Sequence, residues 1–230
     1  MTKNKPTSQL VYQWCKDSGR FSKICLVSND DFHASAISEE QFIGRITRNA
    51  FKPDLVVSFL YPKIIKEPIL SCAALGCINF HPAPLPEYKG VAPYTRGILN
   101  GTRSWGVSAH YIDSGIDTGD LIKVNEFDIS HQETAYSLAS RSHYELFNIF
   151  KEVMNMFKIG DVSRITQSGG TYFSMKDFES LREIKNTDNR LIVERKTRAF
   201  WHPPHEGAFY NVDGFKLLAI PKCALETGMA

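Results

Sequence analysis

Asn79, His81 and Asp117 are residues of three chemical types, and together they suit acyl transfer. The amide of Asn79 can donate to a developing oxyanion, an interaction worth about 10²- to 10³-fold in rate when preorganised. The imidazole of His81 can exchange protons near neutral pH, for another ~10²- to 10⁴-fold. A carboxylate such as that of Asp117 orients an imidazole and favours its charged form when the fold brings the two within reach. Each residue also has a plainer reading. Asn79 suits a turn or strand edge, His81 before Pro82 suits a satisfied loop histidine, and Asp117 before Thr118-Gly119 suits an Asx-turn, the role given to Asp120.

The elements around these residues follow from pattern. Asn79 and His81 are two apart at the end of an apolar run, Cys77 to Phe80, so on a strand they face the same side. A strand's carboxyl end opening into a loop is the usual ligand crevice of an open α/β sheet, and Pro82, Pro84 and Pro86 stiffen that loop. Thr7 or Ser8 is placed to cap a helix over Gln9 to Ser18, and Lys23 to Asn29 reads as a buried strand. Ser38 and Gln41 have capping-box spacing ahead of a second helix, and Asp54 to Leu60 has the continuous β-branched, apolar character of a parallel strand covered on both faces. A short helix is expected within Lys66 to Ala74 and another over Tyr94 to Leu99. Val107 to Ile112 alternates as a half-buried strand, with Leu121 to Ile129 as its partner. Ser130 and Glu133 repeat the capping-box spacing before the longest helix, which runs to Phe157. Beyond Gly160 the chain is turn-rich through Ser174 and mixed over Asn189 to Phe200, and Gly207 to Ile220 reads as a hairpin turning at Asp213-Gly214. The expectation is an α/β fold with a mostly parallel sheet in residues 1–162 and a small hairpin-bearing appendage in 163–230.

Composition bounds the function. The chain has 230 residues, 43% hydrophobic and 23% charged, which is ordinary globular composition. No apolar run approaches the ~18 residues of a membrane span, and MTKNKPTSQL has no secretory h-region, so a cytoplasmic protein is expected. The five cysteines, Cys15, Cys25, Cys72, Cys77 and Cys223, form no C-x-x-C pair and read as reduced thiols, with no metal site expected. A net charge of +2 with interspersed signs disfavours a nucleic-acid partner.

The stretches GCINFHPAPLPEYKG, APYTRGILNG and GVSAHYIDSGIDTGDLI, with KPDLVVSFLYPKII upstream and TRAFWHPPHEGAF downstream, closely resemble the formyltransferases that use N10-formyltetrahydrofolate. The likeness runs over about residues 40 to 220. It implies a Rossmann-like domain in which Asn79 stabilises the oxyanion, His81 assists proton movement and Asp117 orients His81 or a water. It implies a folate co-substrate whose pterin is held largely by main-chain groups at Tyr61, Lys63 and Ile65 and at Ser114, Gly115 and Ile116. Such proteins open on a strand before the first helix, whereas this chain opens directly on the helix at Gln9. The short tail resembles the sugar N-formyltransferase branch. The implied acceptor is therefore the amine of a nucleotide-linked amino sugar, a dTDP-4-amino-4,6-dideoxyhexose, for surface polysaccharide such as the O-antigen of lipopolysaccharide. Lys89 and Arg96 are placed to meet its diphosphate. Methionyl-tRNA formyl transfer is the nearest alternative, and a chain that binds folate or nucleotide-sugar without turnover is a third. A homodimer is compatible with all of them.

Overall fold

A computed structural model describes residues 1–28 and 30–226. In chain order the elements begin with α1 (Pro6–Asp17), α2 (Glu39–Thr47), β1 (Val56–Phe59), β2 (Cys77–His81) and β3 (Tyr88–Gly90). They continue with α3 (Pro93–Asn100), β4 (Ser104–Tyr111), β5 (Leu121–Asp128), α4 (Ala135–Ile159) and β6 (Thr171–Phe173). The last are α5 (Met175–Leu181), α6 (Arg190–Ala199), β7 (Phe209–Val212), β8 (Phe215–Leu218) and α7 (Lys222–Glu226). The chain is α/β, and it folds into two compact units, each assembled from separate stretches. The first takes Met1–His81, Val107–Asn125 and His143–Ser168; the second takes Pro82–Gly106, Glu126–Ser142 and the chain from Gly169 on. Of the appendage expected over 163–230, residues 163–168 fall in the first unit, and the rest shares the second with two earlier segments.

The first unit holds the central sheet, ordered β1-β2-β4-β5. β1 runs parallel to β2, with Ser58 opposite Asn79, and β4 runs antiparallel to β2, with His110 opposite Asn79. Ile78 and Phe80 are almost fully buried. The Phe80 ring meets Phe59 and Phe150, and Phe150 also meets Phe59 and Trp14 of α1, with ring centroids 5.2 to 6.0 Å apart. Alternation on β2 turns Asn79 and His81 away from this aromatic cluster. The β4 expectation needs a correction: every residue from Trp105 to Tyr111 is buried, so the strand is covered on both faces rather than half-buried.

Other local expectations shift for identifiable reasons. α2 has the Ser38–Gln41 capping box. α1 begins at Pro6, whose fixed φ suits the first helical position, and neither Thr7 nor Ser8 caps it. Residues 66–74 form successive turns instead of a helix, with Ile69 N–H donating to Lys66 O and Cys72 N–H to Ile69 O. Of the strand expected over Lys23 to Asn29, Asn29 lies outside the described residues, residues 23–28 form no strand, and among the described residues Val27 makes only a single bridge, to Ile37. Its other neighbour is too short for a ladder. On the outer side of β1, Thr2 bridges Phe59 in parallel, Phe59 N–H donates to Met1 O, and Thr2 N–H donates to Val27 O. Those two residues occupy the place where the resemblance implies a first strand. Beside them is a cavity of about 880 Å³ lined by Met1, Val11, Cys15, Leu26, Val56 and Phe150, among others.

The second unit is built around Trp105, whose indole N–H donates to Ser142 Oγ at 3.0 Å. α3 passes so close to this ring at Gly97 that a methyl group there would run into Trp105 Cζ3. α3 packs on α6, with Thr95 Oγ1 donating to Ala199 O at 2.8 Å. Asn189 caps α6 by accepting from Ile192 N–H. The longest helix, α4, is capped four residues later than its sequence suggests. Thr134 and Ser137 bond reciprocally through backbone and side chain, at 3.0 and 3.1 Å, and take the place expected for Ser130 and Glu133. β7 and β8 form the expected hairpin, with Asp213 at φ 51° and Gly214 at φ 85°, the positive pair a type I′ turn needs. Phe215 is 73% exposed and Leu217 55% exposed on that hairpin.

Among the described residues, no helix is long and apolar enough to cross a membrane. Phe150 joins helix and sheet in the first unit, so Phe150→Ala should lower unfolding free energy by about 3–5 kcal/mol, measured by urea denaturation.

Candidate active site

The carboxyl end of β2 brings the candidate residues together. His81 is the last residue of the strand and is 6% exposed. Asp117 lies on the turn between β4 and β5, with φ 56°. Its carboxylate reaches back to the strand, with Oδ2 3.6 Å from His81 Nδ1. The three residues named from the sequence therefore converge within the first unit.

A fourth group was not singled out in the sequence. His110, opposite Asn79 on β4 and 2% exposed, places Nε2 3.5 Å from Asp117 Oδ1 and 3.2 Å from Asn79 Nδ2. Asp117 thus sits between two imidazoles. His110 Nδ1 is 2.7 Å from Tyr111 O. A carbonyl can only accept, so Nδ1 carries the proton, and in the neutral ring Nε2 is the acceptor for the Asn79 amide. One hydrogen of that amide is then engaged and the other is available to a substrate oxygen. The signal for His110 was present in sequence only as an alternating polar position on a strand, which carries no chemical role by itself.

Asp117 is held in place by its turn. The Asx-turn belongs to Asp113, whose Oδ1 accepts from Gly115 N–H at 3.0 Å and from Thr118 Oγ1 at 2.6 Å. This leaves the Asp117 side chain for the imidazoles. Gly119 packs against the backbone of β4 so closely that a methyl group would strike Tyr111 O. Gln167, from a segment with no motif of its own, donates its amide N–H₂ to both Asp117 O and Gly119 O, and its Oε1 is buried without a partner among the described residues. Asp120 makes a different contact, with Arg164 NH1 3.9 Å from its carboxylate.

The residues expected at a pterin divide in two. Ser114, Gly115 and Ile116 are exposed on the turn, offering main-chain groups. Tyr61 and Lys63 converge on Glu39 of α2, Tyr61 Oη donating at 2.6 Å and Lys63 Nζ lying 3.7 Å away. The Ile65 side chain is 5% exposed and belongs to the core with Val27, Phe42 and Ile69, so only its backbone is available to a ligand. Lys89 and Arg96 are in the second unit and both are engaged there. Lys89 Nζ donates to Gly169 O at 2.9 Å, and the Arg96 guanidinium lies 5.0 Å from the Phe173 ring centre.

Nothing else among the described residues competes as a reactive centre. No group of three or more His, Cys, Asp or Glu is placed to hold a metal ion. Burial pushes the Cys15 and Cys77 thiols up to about 12, leaving them protonated and unreactive at neutral pH.

The sequence matches the formyl transferase family over residues 8–154. Methionyl-tRNA formyltransferase of Ruminiclostridium cellulolyticum is 36% identical over 198 residues, which is 84% of this chain and 61% of that protein. The enzyme of the same name from Acetivibrio thermocellus is 32% identical over 145 residues, 62% of this chain and 46% of that protein. The chain spans about half the length of these curated relatives. A sugar N-formyltransferase from a Shewanella species has a fold that superposes with TM-score 0.78 at 19% identity, over 95% of this chain and 94% of that one. An N-formyltransferase from Helicobacter canadensis, solved with folinic acid and dTDP-3-aminofucose, superposes with TM-score 0.70 at 21% identity, over 94% and 84%. At such identities the likeness is one of fold.

The His110 tautomer is directly measurable. Long-range ¹H–¹⁵N spectra at alkaline pH should show a protonated Nδ1 and an unprotonated Nε2; the opposite tautomer would break the contact with Tyr111 O.

Proposed function

The chain belongs to the formyl transferase family, and from that premise we propose that it transfers a formyl group from N10-formyltetrahydrofolate to the amine of a nucleotide-linked amino sugar. The observation that carries the reading is the Asp117 carboxylate between His81 and His110, beside the Asn79 amide. This arrangement supplies what acyl transfer to an amine needs. Asn79 would donate its remaining N–H to the oxyanion that develops as the amine adds to the formyl carbon. His81, backed by Asp117, would accept the proton that the nitrogen sheds. The same pair would return a proton to N10 as the C–N10 bond breaks, so the balance closes with a formamide and tetrahydrofolate. Exposed main-chain groups at Ser114, Gly115 and Ile116, with those at Tyr61, Lys63 and Ile65, are the proposed pterin contacts. The buried Gln167 Oε1 is an acceptor of the kind that donor-rich ring would use.

The nucleotide-sugar acceptor is favoured by likeness of fold: a sugar N-formyltransferase superposes on 95% of this chain and 94% of its own with TM-score 0.78. In the proposed role Lys89 and Arg96 would meet the diphosphate, Arg96 from its seat on Phe173. The sugar in view is a dTDP-4-amino-4,6-dideoxyhexose destined for cell-surface polysaccharide, made in the cytoplasm. Sequence identity to methionyl-tRNA formyltransferases supports formyl-methionyl-tRNA synthesis as the second reading. The exposed apolar hairpin of β7 and β8 is the surface proposed to pair two copies as a homodimer.

Incubation with N10-formyltetrahydrofolate and a panel of dTDP-linked amino sugars should yield a product heavier by one formyl group. Product with charged methionyl-tRNA alone would favour the second reading, and none with either acceptor would reject formyl transfer. His81→Asn should keep the melting temperature and lose about 10²-fold or more in turnover. Phe215→Lys should convert a dimer to a monomer in sedimentation; an unchanged mass would reject the hairpin as the interface.

A further inference from the structure

The second unit contains a cleft that none of the proposed transfer chemistry uses. It lies where the end of α3 meets the start of α6, at the opposite end of that helix pair from the Thr95–Ala199 bond. Its volume is about 440 Å³, within the ~300–1,000 Å³ of small-molecule sites. The walls are of two kinds: Ile98, Ile129 and Leu191 are apolar, while Arg103, Arg190, Arg195 and Arg198 bring guanidinium groups to the same space, with His131 beside them.

The cationic groups are unequally committed. Arg198 is spent on the Glu194 carboxylate, donating from NH2 at 2.8 Å, and on Glu133 O at 2.6 Å. Arg195 is anchored without a close ion pair among the described residues. Its NH1 donates to Leu99 O at 3.4 Å, and its guanidinium lies against Gly101, where any Cβ would collide with it. Arg103 and Arg190 are exposed and form no ion pair among the described residues. Among the described residues Glu194 is the sole carboxylate lining the cleft; Arg198, with Arg195 and His131 beyond it, holds its carboxyl below the usual range. Positive charge therefore exceeds negative in a concave, partly apolar setting, which strengthens its pull on an anion.

We propose that this cleft binds a phosphorylated small molecule of nucleotide size, with the phosphate taken by Arg103, Arg190 and Arg195 and the remainder lying on Ile98, Ile129 and Leu191. Guanidinium forks match phosphate oxygens in pairs, and Arg195 is already fixed, so little side-chain freedom is lost on binding. The α6 N-terminus adds its partial positive charge at Arg190. The apolar wall explains why the site suits an ester rather than free phosphate.

Calorimetric titration with inorganic pyrophosphate and with dTDP tests the assignment on the full chain. Wild type should bind both, dTDP more tightly, with affinity falling as salt rises. The double variant Arg103→Gln/Arg190→Gln should weaken both by about ten-fold or more at unchanged melting temperature. Leu191→Asp should weaken dTDP more than pyrophosphate. No binding by wild type, or equal affinity in the double variant, would overturn the proposal. Binding of tRNA with no affinity for pyrophosphate would replace it with an RNA surface. A raised KM for the formyl acceptor in the double variant would make the cleft part of the acceptor site and overturn a separate one.

Discussion

β2 must satisfy two opposed demands within five residues. One face has to fill an aromatic cluster, and the other has to present hydrogen-bonding groups to a site where water is largely excluded. Ile78 and Phe80 meet the first demand and Asn79 and His81 the second, which only the period-2 alternation of a strand allows. The neighbours follow from this division. β4 does well to carry a polar residue opposite Asn79, because even a half-buried amide left without a partner costs up to ~1–3 kcal/mol. His110 fills that position.

Asp117 poses the next problem. Its side chain is only 12% exposed, and a carboxylate that deep is tolerated only beside groups that can donate to it or share its charge. The His81 imidazole, with Nδ1 3.6 Å from Oδ2, meets that need. Bringing the carboxylate to it requires a backbone that ordinary residues resist, a left-handed φ of 56°. The turn is over-determined as a result: Asp113 closes it from one side, Gly119 lets it press on β4, and Gln167 grips two of its carbonyls. Strain at a site of this kind persists only where the surroundings impose it.

The elements legible in the sequence were those with a local cause. The Ser38 capping box, the stop at Gly101, the apolar run of β1 and the Asp213-Gly214 turn each depend on residues a few positions apart. Asn79 and His81 were legible because strand alternation is local too. What escaped the sequence depends on partners far along the chain. Lys23 to Val27 has strand composition but lacks a continuous neighbour, so composition misleads there. His110 and Gln167 acquire roles only through Asn79 and Asp117, 31 and 50 positions away. Cap choice failed for a related reason: Thr134 and Ser130 offer similar chemistry, and tertiary packing decides between them.

The interleaving of the two units bears on how such a protein can change over generations. β4, β5 and α4 each begin in one unit and end in the other. A genetic crossover that swapped either unit between relatives would have to break inside all of these elements, severing strand ladders and a long helix. Inheritance of the two units is therefore linked by geometry, and new specificities should arise through scattered point substitutions instead of the shuffling of whole modules.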